Sequence, residues 1–246
     1  MVLHYDPKQQ CLPSSAELPD SDDTPVDNVD RRASRSVLQN LIPNLLEAIL
    51  AMAWPDRQDW FFGVDMGIYY APSTPAIVPD GFLSLGVERF IGEQGRLSYV
   101  MWEEENIAPT LALEVVSKTY GGEYERKKEI YADLGVRYYA VYLPNPSGTR
   151  RQRQPLEVYE LVDNTYQLLE GGPIWLPEIG LGLGRERGTY LGREREWLYW
   201  YDKDGNRLLT PEERVEQAQA QVDQEQTRAD RLAEKLRELG VDPDAL

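Results

Sequence analysis

The chain has one cysteine, Cys11, and one histidine, His4, among its 246 residues. A single cysteine excludes an internal disulfide and a cysteine-rich metal site. A Ser-His-Asp or Cys-His triad would have to use His4, and a zinc site built on several His or Cys ligands cannot be assembled. Catalysis by this chain would therefore depend on carboxylates, lysines, hydroxyls or a hard metal ion.

Long apolar runs and nucleotide-binding signatures are missing as well. No apolar run approaches the roughly 18 residues of a membrane span. The first residues lack the charged-then-apolar pattern of a signal peptide. Neither a G-x-x-x-x-G-K-[ST] loop nor a G-x-G-x-x-G turn is present. These patterns predict a cytoplasmic protein that makes no membrane contact, and they do not favour a nucleotide-cradling fold.

Positive charge is scarce, with 26 Lys and Arg against 42 Asp and Glu, which gives a net charge of −16. At first this argues against a nucleic-acid partner, because nucleic-acid-binding surfaces are basic. The distribution changes the argument, since residues 1–30 carry −6, residues 211–246 carry −5 and the 180 residues between them only −5. The middle of the chain can still present a local basic surface, so net charge does not decide the partner.

The residues that are present indicate a folded globular protein, with 41% hydrophobic and 10% aromatic residues. Residues 1–30 contain four prolines and few large apolar side chains, which predicts a flexible acidic arm. The next segment has a 3.6-residue apolar period, which predicts a helix that is capped by Asp30 or Ser34 and runs to Ala53. We expect Pro43 to kink or divide this helix.

From Trp60 the apolar period changes to two, which predicts β-strands. Val64, Met66 and Ile68 alternate along the first strand. The other predicted strands are bounded by Gly, Pro or polar clusters and cover residues 76–85, 96–103, 110–117 and 138–143.

A second helix is predicted over residues 123–134, because Gly135 follows it as a stop signal. A hairpin is expected to turn at Asp163 and Asn164. The stretch 173–201 is rich in Gly and aromatics and favours tight loops over regular structure. The strand–helix–strand order in the middle of the chain predicts an α/β (α+β) fold with a mixed sheet.

The tail from Pro211 has a different composition, rich in Glu, Gln, Arg, Ala and Leu. A heptad frame fits it, with seam positions 215, 218, 222, 225, 229, 232, 236 and 239. Only Glu225 breaks the apolar seam. The frame is compatible with a lone amphipathic helix folded back on the core, or with a short coiled coil that joins two copies into a homodimer through residues 211–239.

Three polar residues lie in apolar surroundings. Asp80 begins a predicted strand in V-P-D-G-F, where it is either a turn residue or a functional carboxylate. Glu114 lies within the apolar strand L-A-L-E-V-V, where an unpaired carboxylate is costly, so its position indicates function. Lys127 falls in the inward stripe of the second helix, where it either snorkels to water or reaches a carboxylate centre, oriented by Glu123 at i−4. Lys128 falls outside the stripe, on the expected solvent face.

Two carboxylates and an ammonium suit phosphodiester hydrolysis. The carboxylates can hold Mg²⁺ or Mn²⁺ through oxygen, with positions left for water. The metal acidifies a bound water, and a lysine orients the nucleophile or stabilises the transition state. Two arginine groups are either phosphate-contacting surfaces or solvated loops, at positions 150, 151 and 153, and at positions 185, 187, 193 and 195.

Five sequence blocks together resemble the Uma-type family of restriction endonucleases, within the PD-(D/E)XK nuclease superfamily. The blocks are P-D-G-F at 79–82, L-E-V-V-S at 113–117, K-x-x-x-Y at 127–131, L-G-V at 134–136 and Y-Y-A-V-Y at 138–142. The resemblance implies a restriction-endonuclease-like mixed sheet flanked by helices, with a divalent metal. By motif it implies that Asp80 and Glu114 are metal ligands and that Lys127 is the catalytic lysine, moved from the strand to the helix.

The chain departs from the superfamily pattern at several positions. The usual motif has Lys two residues after the Glu, and here that residue is Val116. Lys118 competes with Lys127, because residues 114, 116 and 118 share one face if the strand continues that far. Glu47 in the first helix is a candidate for an additional carboxylate, as first-helix acids are in related nucleases.

The resemblance predicts a DNA endonuclease that depends on Mg²⁺ or Mn²⁺. The alternative is a catalytically inactive nuclease-fold protein that binds DNA or protein in a regulatory role. The predicted organisation is an acidic arm over residues 1–30, a PD-(D/E)XK nuclease-like domain over 31–205 and a coiled-coil-like helix over 211–246.

Overall fold

The computed structural model describes residues 12–18, 37–72, 74–93, 95–116, 126–144 and 153–239. Two compact units are distinguished, residues 1–208 and residues 209–246. The first unit contains the sheets and the site described below, and the second contains one long helix.

The described residues form three helices and eleven strands. The helices are α1 (Val37–Ala53), α2 (Arg126–Leu134) and α3 (Pro211–Glu238). The strands of the first half are β1 (Trp60–Val64), β2 (Ile68–Tyr69), β3 (Gly81–Leu85), β4 (Tyr99–Val100), β5 (Leu111–Val115) and β6 (Tyr138–Tyr142). Those of the second half are β7 (Leu156–Val162), β8 (Thr165–Leu168), β9 (Ile174–Leu176), β10 (Leu181–Tyr190) and β11 (Arg193–Tyr201).

The main sheet has six strands in the order β1-β3-β5-β6-β7-β8. Strands β5 and β6 are parallel, and the other neighbours in this sheet are antiparallel. A parallel pair needs a crossover connection, and α2 lies in the connection from β5 to β6. This arrangement confirms the α/β fold with a mixed sheet flanked by helices.

The two faces of the main sheet are covered by different elements. Leu113 and Val115 of β5 belong to a core shared with α1 and with the three-stranded sheet β11-β10-β9. Ala112 of β5 and Val116, which directly follows β5, belong to a second core that includes Tyr131 of α2. Because side chains alternate along a strand, Glu114 lies on the α2 face.

Helix α1 passes through Pro43 without interruption, so the expectation that Pro43 divides the helix is wrong. Proline removes one backbone hydrogen bond. The buried packing of α1 offsets that loss, because Leu45, Leu46 and Ile49 lie in the core. Pro43 itself packs close to the backbone of Gly81, at the start of β3.

The segment 173–201 forms β9, β10 and β11, so the expectation of tight loops there is wrong. Its glycines have a packing role within β10. A Cβ at Gly184 would overlap the ring of Tyr201, and one at Gly188 would overlap the hydroxyl of Tyr199. The glycines therefore make room for aromatic side chains of β11. An argument from propensity alone interprets the same glycines as loop signals.

Two other expectations have opposite outcomes. The alternation through Val64 and Ile68 does not belong to one strand, because Asp65 has a φ of 52° and separates β1 from β2. The hairpin of β7 and β8 is confirmed, with Asp163 and Asn164 at φ values of 48° and 60°. Positive φ at both turn residues is the geometry of a two-residue type I′ turn.

Helix α3 begins with a complete capping box. The side chain of Thr210 accepts a hydrogen bond from the N–H of Glu213, whose carboxylate accepts one from the N–H of Thr210. None of the α3 residues is buried, and the seam residues Val215, Val222 and Leu232 are exposed. Among all described residues, no helix is both long and apolar enough to span a membrane.

Candidate active site

Two carboxylates lie where the start of β3 meets the end of β5. Asp80 immediately precedes β3, and Glu114 is the residue before the last of β5. The strands are antiparallel, and Gly81 pairs with Leu113, so their registration places residues 80 and 114 beside each other. The antiparallel register therefore brings together two acids that are 34 positions apart in the sequence.

Asp80 is held against the backbone of β5. Its Oδ2 accepts a hydrogen bond of 2.6 Å from the N–H of Val115. Burial of the carboxyl, followed by the charge of Glu114, raises the pKa of Asp80 well above its usual value. Burial and the like charge of Glu114 thus both raise the pKa of Asp80, and the positive charge of Lys127 only partly offsets that rise.

Glu114 is the buried carboxylate of the site, with 2% of its side chain exposed. Both of its oxygens accept hydrogen bonds from α2. The ammonium of Lys127 lies 2.7 Å from Oε2, and the hydroxyl of Tyr131 donates to Oε1 over 2.8 Å. A buried carboxylate is tolerated when it is paired and hydrogen-bonded in this way.

The structure brings Asp80, Glu114 and Lys127 together, as the sequence motifs predict. The catalytic roles of these three residues remain predictions. Lys127 lies in the first turn of α2 and is 18% exposed, so its ammonium reaches the carboxylate from the solvent edge of the site.

Tyr131 and Asp65 were not predicted as parts of the site. Tyr131 was predicted only as part of the inward stripe of α2. Its spacing of four residues from Lys127 was the available signal, because residues i and i+4 share a helix face. The N–H of Asp65 donates to the carbonyl oxygen of Asp80 over 3.1 Å, and the charge of Asp65 also raises the pKa of Asp80. No sequence signal pointed to this contact, because Asp65 falls inside the first predicted strand.

Of the remaining candidate residues, Glu47 is the one that the structure describes. Lys118 and Glu123 fall outside the described residues. Glu47 is half-buried in α1, where burial raises its pKa and the charge of Arg89 opposes that shift. The guanidinium of Arg89 stacks on the ring of Trp60, at the opposite end of β1 from Asp65. The charged groups that shift the pKa of Asp80 are Glu114, Lys127 and Asp65, and Glu47 is not among them.

Lys128 does not lie on a solvent face, and that expectation is wrong. Its ammonium lies 3.4 Å from the centroid of the Tyr159 ring, and burial lowers its pKa. A cation over an aromatic face is attracted by the ring quadrupole. The short α2 therefore directs two adjacent lysines to different places, Lys127 to Glu114 and Lys128 to β7.

Three of the described arginines in these two groups pair with nearby acids. Arg185 lies 2.5 Å from Glu196 and Arg187 lies 3.0 Å from Glu194, both across the β10–β11 hairpin. Arg153 lies 3.8 Å from Glu157, whereas positions 150 and 151 fall outside the described residues. The two hairpin pairs favour the interpretation of Arg185 and Arg187 as part of a solvated surface, because their charge is already offset within the sheet.

The donor set of the site fits a hard divalent cation. Mg²⁺ is commonly held by one or two carboxylates and completes its coordination with water. Asp80 and Glu114 provide two such groups, and their mutual repulsion is the condition that a cation relieves. Within the part of the chain that the structure describes, no group of three or more His, Cys, Asp or Glu side chains is arranged to hold a metal.

A family model matches more than half of the chain. The model of the Uma2 family, described as "Putative restriction endonuclease", matches residues 31–187. Among solved structures, the chain is similar to a protein described as a putative nuclease belonging to DUF820 from Anabaena variabilis ATCC 29413. That similarity has 12% sequence identity and a TM-score of 0.40, and it covers 58% of this chain and 73% of that chain. No curated protein matches the chain.

Proposed function

The chain belongs to the Uma2 family of restriction-endonuclease-like proteins, and from that premise we propose that it is a divalent-metal-dependent DNA endonuclease. The reaction is hydrolysis of a phosphodiester bond. The observation that carries the proposal is the buried Glu114, which lies beside Asp80 and accepts hydrogen bonds from Lys127 and Tyr131. A hydrophobic side chain would fill that position at lower cost, so a carboxylate there favours function over packing.

Asp80 and Glu114 are the proposed ligands of Mg²⁺ or Mn²⁺. A divalent cation at these two carboxylates would offset the charge of a phosphate and acidify a water molecule. The carboxylates are held in different ways, Asp80 by the N–H of Val115 and Glu114 by two side chains of α2. Both are thus oriented before any ligand arrives, which is the arrangement that a precise site needs.

Lys127 is the proposed catalytic lysine. Its ammonium lies at the exposed edge of the carboxylate pair, where a phosphate would approach. There it can stabilise negative charge that develops on the phosphate oxygens, and it can orient the attacking water. The proposed catalytic unit lies within the proposed nuclease-like domain, residues 31–205.

One observation favours the alternative, a nuclease-fold protein that binds DNA or another protein without turnover. Both oxygens of Glu114 accept hydrogen bonds from the chain itself, so the carboxylate is satisfied without a cation. A site of this kind could persist as a structural ion pair. The two functions differ in whether the protein cleaves DNA at all, in a reaction that depends on Glu114 and on a divalent ion.

A nuclease assay with matched variants separates the two functions. Plasmid and single-stranded DNA are incubated with the wild-type protein in Mg²⁺, in Mn²⁺ and in EDTA. We expect cleavage in the metal ions, none in EDTA and none by Glu114→Gln. Glu129→Gln is the matched control, because Glu129 is an exposed acid on the same helix as Lys127. DNA binding without cleavage by the wild-type protein in either metal would contradict the proposal and support the alternative.

We also propose that α3 joins two copies of the chain as a parallel coiled coil. Its seam residues Val215, Val222 and Leu232 are exposed at heptad spacing. Basic residues occupy one flanking position, at 214, 228 and 235. An antiparallel pair would place Arg214 of one chain near Lys235 of the other, whereas a parallel pair separates them. The repulsion of like charges therefore selects the parallel arrangement.

A further inference from the structure

Tyr131 makes a contact that packing alone does not require. Tyr131 is a residue of α2 and its side chain is fully buried. Its hydroxyl donates to Oε1 of Glu114 over 2.8 Å. The other oxygen of the same carboxylate is bound by Lys127, one helical turn earlier. Phe would fill the same space, so packing explains the ring of this side chain but not its hydroxyl.

The ring of Tyr131 is fixed in position by neighbouring aromatic rings and by the end of α2. It packs on Tyr139 with 5.1 Å between ring centroids, and Tyr139 packs on Tyr166 at 5.8 Å. The hydroxyl of Tyr166 donates to the carbonyl oxygen of Val136 over 2.7 Å, and the N–H of Val136 donates to the carbonyl oxygen of Tyr131 over 3.0 Å. The end of α2 and the aromatic cluster therefore fix the position of the phenol.

Lys127 and Tyr131 differ in how firmly they can hold Glu114. A lysine has four rotatable bonds, so fixing its side chain carries one of the larger side-chain entropy costs. Lys127 also lies at the solvent edge with 18% of its side chain exposed, whereas Tyr131 is fully buried. The tyrosine is thus the firmer of the two contacts, and the lysine is the one that can move toward a phosphate.

We propose that Tyr131 is a positioning residue that fixes the orientation of the Glu114 carboxylate for a divalent cation. Lys127 can then leave Glu114 for the substrate phosphate while the carboxylate keeps its orientation. This inference rests on the proposed function of the site. Groups that orient a metal ligand typically change metal affinity by about 10–100-fold when they are removed.

The test compares Tyr131→Phe with Tyr166→Phe in the full chain. Both variants remove one buried hydroxyl from the same aromatic cluster and keep the ring. Mn²⁺ binding is measured by calorimetry, and the Mg²⁺ concentration that gives half-maximal cleavage is measured on plasmid DNA. We expect Tyr131→Phe to raise both the Mn²⁺ dissociation constant and the Mg²⁺ half-saturation by about 10-fold. Its kcat at saturating metal should change by less than about threefold, because Lys127 is intact.

Tyr166→Phe should lower the melting temperature and leave both metal constants within about threefold of the wild-type values, because it keeps the ring that packs on Tyr139 and its hydroxyl bonds a backbone carbonyl rather than Glu114. Equal metal constants for Tyr131→Phe and the wild-type protein would overturn the inference and leave the proposed function standing. A wild-type protein that neither binds Mn²⁺ nor cleaves DNA would instead overturn both.

Lys127→Met gives a second measurement that does not depend on the folding of Tyr131→Phe. If Tyr131 orients Glu114, this variant should bind Mn²⁺ with an affinity no more than about threefold below the wild-type value, although it should not cleave. A loss of about 10-fold or more in Mn²⁺ affinity would assign the orienting role to Lys127 and would overturn the inference.

Discussion

The ammonium of Lys127 lies 2.7 Å from Oε2 of Glu114, so one helix turn of α2 supplies a cation to a carboxylate that β5 buries. The usual superfamily pattern places this lysine two residues after the Glu, on the same strand. Here that position is occupied by Val116, which directly follows β5 and is buried in the core on the α2 face. The helix therefore supplies the positive charge that residue 116 lacks.

The first prediction concerns that lysine. Lys127→Ala should reduce cleavage by about 10²–10³-fold, because it removes a positive charge that stabilises the transition state. Metal affinity should stay the same or improve, because a competing cation leaves Glu114. Single-turnover cleavage and Mn²⁺ calorimetry measure the two effects. Lys203→Ala is the control, because Lys203 is exposed and pairs with Asp204 in a turn.

Lys118 provides the outcome that would contradict this assignment. If Lys118→Ala is inactive and Lys127→Ala retains full activity, the catalytic lysine comes from the segment after β5. The contact between Lys127 and Glu114 would then be structural.

The second prediction concerns the carboxylate. A cation that binds the folded state at ten times its dissociation constant stabilises it by about 1.4 kcal/mol. For a domain of this size that corresponds to a rise in melting temperature of about 3–5 °C. Glu114→Gln keeps the shape of the side chain and should remove most of this rise. Thermal melts with and without Mg²⁺ or Mn²⁺ test it, and a wild-type melting temperature that ignores both ions, with full cleavage in EDTA, would reject metal dependence.

Much of the site was predictable because its residues conflict with their surroundings. Glu114 is a carboxylate in an apolar strand, and Lys127 interrupts an apolar helix stripe. Such conflicts can be read from the sequence, since burial of an unpaired charge is costly. The contact of Asp80 with Val115 was not predictable, because it depends on the register of β3 against β5.

The errors in the fold have local physical reasons. The glycines of β10 indicate loops by propensity, but in the structure they give space to Tyr199 and Tyr201 of a paired strand. The alternation from Val64 to Ile68 has the period of a strand, but Asp65 adopts a positive φ and ends β1. In both cases a contact distant in sequence overrides the local pattern.

The third prediction concerns the pH dependence of stability without metal. Burial and the charge of Glu114 raise the pKa of Asp80 above the ordinary value of 3.8. Between 3.8 and the raised value, the folded state keeps a proton that the unfolded state has released. The free energy of unfolding therefore falls as pH rises through this interval, and the cost of the charged Asp80 is fully present above it.

Asp80→Asn should remove this cost. In EDTA at pH 8 we expect the variant to melt at a higher temperature than the wild-type protein, and we expect its stability to depend less on pH in the acidic range. Asn still offers an oxygen to the N–H of Val115, so the contact with β5 is retained. Urea unfolding in EDTA from pH 4 to pH 8 measures the effect. A wild-type stability that rises steadily over this range, with Asp80→Asn less stable throughout, would contradict it.

The fourth prediction concerns α3. The buried clusters of the described residues lie before residue 209, so removal of residues 211–246 should leave the first unit folded. In a parallel coiled coil the two copies of Glu225 would face each other in the seam, where like charges weaken the dimer. Sedimentation should therefore show a dimer for the full chain, a monomer for the truncated chain and a tighter dimer for Glu225→Leu. Gln224→Leu is the matched control, because residue 224 lies outside the seam and should not strengthen association. A full chain that sediments as a monomer even with Glu225→Leu would reject the coiled coil.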